Sequence, residues 1–154
     1  MSLHRLQTTL TLPITIDKAW EFFSDPANLA LITPPEMDFK ILTPLFKKET
    51  YAGQIIAYDV TPLPMMRTKW VTEITHVSKP AFFVDEQRVG PYQIWHHQHH
   101  FEEVNGQLLM TDIVHYQIPL GFIGDLMNQL FIRKRIEKIF EYRTKKLTEL
   151  FVVK

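Results

Sequence analysis

The apolar residues in the first three quarters of the chain recur with the period of β-strands. Leu6, Leu10 and Leu12 share one parity with Thr8, and this alternation predicts a strand with one buried face. Six further β-like segments follow at residues 39–42, 54–61, 68–77, 82–89, 92–104 and 107–118. The pattern therefore predicts seven strands.

The breaks between these segments carry turn residues, and Asn105-Gly106 is the strongest hairpin signal among them. Connections this short cannot hold crossover helices, so neighbouring strands are expected to pair antiparallel. A parallel, doubly wound sheet is thereby excluded.

Two short helices are expected between the first two strands. Asp17 is a candidate cap for a helix that contains residues 19–23, because a short polar side chain can accept hydrogen bonds from the first free N–H groups. A second helix over residues 27–32 is expected to stop at Pro34-Pro35, since proline lacks the donor that a helix needs.

The period changes to 3.6 over residues 123–150, which predicts one long amphipathic helix. Such a helix spans on the order of 40 Å, enough to cross a whole sheet, so we expect it to lie on the concave face of the sheet. Its apolar stripe consists of Leu126, Leu130, Ile132, Ile136, Ile139, Phe140, Leu147 and Leu150. The basic residues of 133–135 and 143–146 are interpreted as its solvated face.

Length and composition favour one domain over residues 1–154, because 154 residues with 45% hydrophobic content suffice for a single core. Lys and Arg number 17 against 17 Asp and Glu, and a zero formal charge gives no reason to expect binding to nucleic acid. The N-terminal residues alternate like a strand rather than a signal peptide. No segment approaches the roughly 20 apolar residues of a spanning helix, so stable membrane insertion is not expected.

Cysteine is absent from the sequence, which excludes disulfides, thiolate zinc sites and a cysteine nucleophile. Together with the N-terminal pattern, this absence leads us to expect a soluble, cytoplasmic protein.

The order of elements, namely strand, two short helices, six antiparallel strands and a long helix, resembles the START-like superfamily, which includes the polyketide cyclases and the SRPBCC group. Particular residues resemble one bacterial SRPBCC subgroup. They are Phe83-Val84-Asp85-Glu86-Gln87, Gly90-Pro91-Tyr92, Trp95, His97, His99, Phe101, residues 111–116, Pro119, Gly121 and Ile139-Phe140-Glu141-Tyr142-Arg143.

This resemblance implies an α+β helix-grip fold, in which a curved seven-stranded antiparallel sheet wraps around the long C-terminal helix. Relatives in the subgroup occur alone or as the C-terminal part of epimerase-like proteins, some of them labelled cell-division inhibitors. The resemblance also implies an internal cavity, because a strongly bent sheet around a helix leaves space at one end.

The segment from Trp95 to Phe101 holds the densest group of polar residues. Alternation places Trp95, His97, His99 and Phe101 on one face and the intervening side chains of His96, Gln98 and His100 on the other. The aromatic parity is expected to face inward.

Three roles stay open for these inward histidines: hydrogen bonding to acidic neighbours, contact with a ligand, or ligation of a metal. A metal would need a third ligand, for which the candidates are Glu73, Asp85, Glu86 and Asp112. Because the sequence does not show which of them share the inward face, we assign no metal and no cofactor. Asp112 is also expected to pair with Arg67 or Arg88 across the sheet.

The first functional hypothesis is binding or transport of a small hydrophobic molecule, such as a lipid, polyketide or aromatic compound. The expected contacts are Trp70, Phe83, Tyr92, Trp95, His97, His99, Phe101, Tyr116, Leu126 and Leu130.

Two alternatives stay open. One is a cyclase, aromatase or dehydratase in which His97 or His99 moves a proton while Tyr92, Tyr116 or Arg67 stabilises an oxyanion. The other is a non-catalytic interaction module with a protein partner or a second copy of the chain.

Overall fold

The computed structural model describes residues 2–152, and seven strands within that range form one antiparallel sheet. The order across the sheet is β1-β7-β6-β5-β4-β3-β2. The strands are β1 His4–Leu12, β2 Lys40–Ile41, β3 Ile55–Leu63, β4 Met66–Ser78, β5 Phe82–Val89, β6 Ile94–Val104 and β7 Gln107–Gln117. The predicted antiparallel meander is therefore confirmed, with the first strand returning to pair with the last.

The sheet is curved, and irregular pairing marks two of its strand pairs. The register shifts once between β3 and β4, after Val60, and twice between β4 and β5, at Val71/Thr72 and Ile74/His76. Such shifts increase the twist and bend a sheet locally. The pairs β5/β6 and β6/β7 are continuous, so side chains on these three strands stand in regular rows.

Helix α1 spans Ile16–Phe23 and is capped by Thr15, not by Asp17. Thr15 has the extended backbone of an N-cap, with φ −75° and ψ 158°, and its side chain accepts a hydrogen bond from the N–H of Lys18 at 3.3 Å. Asp17 lies one step inside the helix, in its first turn. The predicted cap is therefore wrong by two residues, because the chain turns into the helix earlier than the polar pattern suggested.

The second predicted helix is a 3-10 helix, Pro26–Ile32, whose cap is Asp25. The Asp25 carboxylate accepts from the N–H of Ala27 at 3.0 Å. One further 3-10 turn, Pro35–Met37, follows before β2. These short helices close one end of the space between the sheet and the C-terminal helix.

The C-terminal helix is continuous over residues 122–151 and confirms the predicted long element. It consists of α2, Phe122–Met127, a π-helical turn, Asn128–Ile132, and α3, Arg133–Phe151. Ile132, Ile136 and Phe140 pack with Val114 and Tyr116 of β7 on the concave face. Among the helices of residues 2–152, none is long and apolar enough to cross a membrane.

Part of the predicted apolar stripe faces solvent instead of the sheet. Leu126 is 53% exposed, Leu130 is 62% exposed and Leu150 is 48% exposed. At 100° per residue, Leu126 and Leu130 lie about 80–120° around the helix from Ile136, and the π turn changes the phase further. The stripe prediction was too wide because it counted every leucine on the helix.

Candidate functional site

A cavity of about 200 Å³ lies between the concave face of the sheet and the C-terminal helix. Its wall is contributed by α1, the 3-10 helices, strands β3 to β6 and α3. Most of the lining side chains are apolar, including Phe23, Leu29, Ile32, Met37, Val60, Ile74, Ile136, Ile139 and Phe140. Polar side chains interrupt this apolar wall on β5, β6 and α3, on β3 and β4, and near the 3-10 helix Pro26–Ile32.

Six of the ten residues expected to contact a ligand border this cavity. They are Trp70, Phe83, Tyr92, Trp95, His97 and His99. The aromatic parity of β6 therefore faces inward, as the alternation predicted.

The other four residues do not line the cavity. Phe101 is packed into the core, with its ring 5.3 Å from that of Phe23, and Tyr116 donates a hydrogen bond to Asn128 at 2.9 Å. Leu126 and Leu130 face solvent. Facing inward does not suffice for contact with the cavity, because the helix and the packed aromatic core cover much of the concave face.

Strand register places the two inward histidines beside two carboxylates. Asp85 of β5 lies directly opposite His97, and Asp112 of β7 lies directly opposite His99. Opposite residues of antiparallel strands share one face of the sheet. The four side chains therefore form one buried cluster on the concave face.

The two imidazole rings lie side by side between the two carboxylates. Their centroids are 3.7 Å apart. Asp112 Oδ1 lies 2.8 Å from His97 Nε2 and 3.1 Å from His99 Nδ1. At the other end, Asp85 Oδ2 lies 2.6 Å from His99 Nε2 and 3.6 Å from His97 Nδ1. Each carboxylate thus contacts one nitrogen of both rings.

Only two of these four contacts are hydrogen bonds. His97 Nε2 bonds to Asp112, and His99 Nε2 bonds to Asp85. His99 Nδ1 is close to Asp112 but lacks the alignment of a hydrogen bond. Its attraction to Asp112 is therefore chiefly electrostatic.

Arg143 of α3 adds a guanidinium to this group, which we call the histidine–aspartate cluster (Asp85, His97, His99, Asp112 and Arg143). Its Nη2 lies 3.6 Å from Asp112 Oδ1, and the residue is only 9% exposed. The guanidinium also lies 5.7 Å from the ring of Phe23 and 5.9 Å from that of Phe140. Its Nε has no hydrogen-bond partner among the described residues.

Burial and neighbouring charge shift the pKa values of the cluster in different directions. Burial, together with the adjacent His99, lowers the pKa of His97. Burial also disfavours the charged form of His99, but the contacts of this ring with the Asp112 and Asp85 carboxylates outweigh burial and raise its pKa. Burial acts against ionised Asp112, yet Arg143 and the histidines hold the pKa of this carboxyl well below its ordinary value.

The pKa of Asp85 is also lowered, because its hydrogen bond to His99 and its attraction to His97 outweigh the penalty of burial. The cluster therefore combines two carboxylates and a guanidinium with two imidazole rings whose pKa values are shifted in opposite directions. Such a group can hold or pass a proton at the cavity wall, since the two rings favour different protonation states.

The expected pairing of Asp112 with Arg67 or Arg88 was wrong. Arg67 pairs with Asp38 and Asp59 at the exposed end of β3 and β4. Arg88 pairs with Glu73 and Glu86. Asp112 lies on β7, which β6 separates from β5. Asp112 pairs instead with Arg143 of the helix that crosses the concave face.

Of the four candidate third ligands, the structure brings Asp85 and Asp112 to the histidines and keeps Glu73 and Glu86 away. Glu73 points to the outer face of β4, because its neighbours Thr72 and Ile74 are the buried residues of that strand. Asp85, His97 and His99 offer three donor atoms that all lie within 4.8 Å of one another.

A second polar group lies on β3 and β4. The hydroxyls of Tyr58 and Thr72 are 2.6 Å apart, and Trp70 Nε1 donates to the same Thr72 oxygen at 3.1 Å. All three residues border the cavity. Their hydrogen-bonding groups are used among themselves, so this part of the wall presents mainly ring surface.

The buried position of Arg143 was not predicted from the sequence, because a charged residue in a basic segment is normally interpreted as solvent-exposed. A signal was nonetheless present. Arg143 continues the spacing of Ile136 and Phe140 and precedes Leu147 by four residues, which is the spacing of one helix face. A charged residue on the buried stripe of a helix indicates a buried partner.

The architecture defines the class of this protein: a helix-grip fold with a cavity between the curved sheet and the C-terminal helix. No family model matches the sequence, and no curated protein matches it either.

Solved structures with the same architecture include the ginseng major latex-like protein 151 from Panax ginseng, with a TM-score of 0.70 at 11% identity over 97% of this chain and 98% of that one. Protein CV1439 from Chromobacterium violaceum is similar, with a TM-score of 0.71 at 12% identity over 96% and 97%. Ara h 8.0201 matches with a TM-score of 0.59 at 10% identity over 96% and 99%. At such identities these likenesses show the fold alone.

Proposed function

We propose that this protein binds a small hydrophobic molecule in the cavity beneath its C-terminal helix. The observation that carries the proposal is the cavity itself, which is lined mainly by aromatic and aliphatic side chains and has a charged polar region at the histidine–aspartate cluster. Small-molecule sites in proteins have this composition, with an apolar wall that supplies affinity and a few polar groups that fix orientation.

The volume favours a compact ligand. A cavity of about 200 Å³ is only somewhat larger than the roughly 150 Å³ engineered cavity that takes up benzene. Of the classes considered, an aromatic or short polyketide-derived molecule with one or two rings therefore fits better than a lipid with two long chains. Trp70 and Trp95 meet edge to face at 5.3 Å and offer such rings an aromatic surface.

The polar end of the ligand is expected at the histidine–aspartate cluster. Asp85, His97, His99 and Arg143 all border the cavity, and Arg143 Nε has no hydrogen-bond partner within residues 2–152. A hydroxyl or carbonyl oxygen placed there would satisfy this buried donor, which otherwise carries a cost of desolvation. The resemblance to the SRPBCC subgroup agrees with this role, although it names no ligand.

The direct test has two parts. Mass spectrometry after mild organic extraction identifies any co-purified molecule, and titration with 2-naphthol in the presence of EDTA measures binding by tryptophan fluorescence. Trp70 and Trp95 border the cavity, whereas Trp20 lies in the core, so ligand entry should quench only part of the emission. At a hundredfold excess over Kd the melting temperature should rise by about 5–10 °C.

A matched pair of variants on one helix locates the binding. Ile139→Trp places a large ring in the cavity wall, while Leu130→Trp places the same ring on the exposed side of the helix. We expect the first variant to lose 2-naphthol binding and the second to retain it. Equal binding by both variants, or an empty protein that no aromatic probe stabilises, would contradict the proposal.

The histidine–aspartate cluster favours one second candidate, an enzyme that moves a proton on a cavity-bound substrate. His97 and His99 border the cavity with pKa values shifted down and up respectively, and Tyr92 borders it as well. Tyr116 and Arg67 lie elsewhere and cannot stabilise an oxyanion there. The extracted molecule, returned to the protein in D₂O, should incorporate deuterium with wild type and not with His97→Gln; absence of exchange with wild type argues for binding alone.

The interaction-module alternative has one observation in its favour. Leu120, Phe122, Leu126 and Leu130 are 68%, 79%, 53% and 62% exposed at the start of the C-terminal helix. An exposed apolar strip of this kind is common at association surfaces. Light scattering across a concentration series tests it, with a monomer at every concentration arguing against self-association.

A further inference from the structure

The hydrogen-bonding pattern of His97 leaves one of its nitrogens in an unusual position. Its Nε2 forms a hydrogen bond to Asp112 at 2.8 Å, and since an ionised carboxylate only accepts, a neutral His97 ring carries its proton on Nε2. The other nitrogen, Nδ1, therefore presents a lone pair, and the atom facing it is Asp85 Oδ2 at 3.6 Å. Two acceptors that face each other in a buried site repel unless a proton or another cation lies between them.

His99 completes this arrangement at the same end of the cluster. Its Nε2 lies 2.6 Å from the same Asp85 oxygen, and its Nδ1 lies 3.1 Å from Asp112. When a metal ion displaces the Nε2 proton of His99 and the remaining proton lies on Nδ1, three lone-pair donors converge: Asp85 Oδ2, His97 Nδ1 and His99 Nε2. Asp112 then faces the N–H side of both rings.

We propose that Asp85, His97 and His99 bind one divalent transition-metal ion on the wall of the cavity, with Asp112 as the positioning carboxylate behind both histidines. Ligating histidines commonly donate their second N–H to a carboxylate, which fixes the tautomer and the orientation of the ring. Here one aspartate occupies that position for both rings. Arg143 in turn neutralises Asp112 without taking a place among the ligands.

The distances fit such an ion. A tetrahedral zinc with bonds of about 2.0–2.2 Å keeps its ligand atoms about 3.3–3.5 Å apart. The separations from Asp85 Oδ2 to the two ring nitrogens are 2.6 and 3.6 Å, on either side of that value. All three donor atoms lie within 4.8 Å of one another, and a movement of the Asp85 carboxylate away from His99 brings the shorter separation toward that value.

The position of the site indicates open coordination. Asp85, His97 and His99 all border the cavity, whereas Asp112 does not, so the remaining coordination positions face the space proposed for the ligand. Two imidazoles and one carboxylate suit zinc(II) or iron(II) and do not suit magnesium or calcium, which prefer oxygen ligands. The metal site goes beyond the proposed hydrophobic ligand, since an ion can bind whether or not an organic molecule is present.

Metal titration of the chelator-stripped protein tests this inference. Calorimetry with Zn²⁺ should give one ion per chain. The Co²⁺ form should show visible absorption bands typical of a coordination site of low symmetry. We expect Asp85→Asn and His99→Gln to weaken Zn²⁺ binding by about 100-fold or more. The matched control is His96→Gln on the outer face of the same strand, which should bind as wild type does.

Three outcomes would overturn the inference: no binding of Zn²⁺ by wild type at micromolar concentrations, unchanged affinity in folded Asp85→Asn, or an equal loss in His96→Gln. If the inner variants fail to fold, X-ray absorption of the wild-type Co²⁺ form decides, because two imidazoles in the coordination shell are required. The 2-naphthol titration is done with EDTA, so failure of the metal site and failure of the hydrophobic site give different results.

Discussion

The two faces of strand β6 place histidines of the same strand in opposite environments. His97 and His99 are 6% and 5% exposed and contact two aspartates on the concave face. On the outer face, the side chain of His96 is 32% exposed and lies 3.8 Å from Glu86, and His100 contacts Gln98. Alternation alone separates these environments by one residue.

Exposure to solvent determines how much stability each histidine loses when its carboxylate partner is removed. An outer histidine next to a carboxylate exchanges that partner for water at little cost, because surface ion pairs contribute little. The inner pair has no such alternative, so every contact within the cluster must compensate for desolvation. The inner face therefore holds the groups that can act chemically. Substitutions there are expected to lower the free energy of unfolding more than substitutions on the outer face.

The largest expected effect comes from removing the carboxylate that both inner histidines share with Arg143. Asp112→Ala leaves His97, His99 and Arg143 without their common partner, and we expect the free energy of unfolding to fall by about 3–5 kcal/mol in urea denaturation. The matched control is Glu86→Ala beside His96, for which the change should stay within about 0.5 kcal/mol. Equal losses at both positions would show that burial does not distinguish the two faces.

A smaller loss is expected when the cation of the cluster is removed. Arg143→Met keeps the apolar packing against Phe23 and Phe140 but leaves Asp112 with the histidines alone, and urea denaturation should show a loss of about 2–4 kcal/mol. Lys138→Met on the solvated side of the same helix should change stability by about 0.5 kcal/mol or less. An Arg143→Met protein as stable as wild type would mean that the histidines suffice to balance Asp112.

The strands and the inward parity of β6 could be predicted from the sequence because both are local. Period two in the apolar residues fixes which side chains share a face, so Trp95, His97 and His99 were placed correctly. The long helix followed in the same way from its period of 3.6. These patterns depend on residues within one element and need no knowledge of its neighbours.

The partners of the histidines could not be predicted, because they depend on the register of three strands and on a helix from the far end of the chain. A slip of one residue in β5 would put Glu86, not Asp85, opposite His97. Arg143 lies in the cluster only because the C-terminal helix crosses β7 next to Asp112. The cavity volume could not be predicted from the sequence either, since it depends on how Phe101 and Tyr116 fill the concave face.

The smallest effect is expected on the outer face of β6 itself. In the double variant His96→Gln/His100→Gln, both side chains remain polar and half-exposed. The lost contacts are those with Glu86 and Gln98 and the ring contacts with His115 and Phe82. We expect the free energy of unfolding to change by less than about 0.5 kcal/mol, with 2-naphthol and Zn²⁺ binding as in wild type. A large loss of either binding activity would mean that the outer histidines are coupled to the cavity through the sheet, and the separation by alternation would then fail.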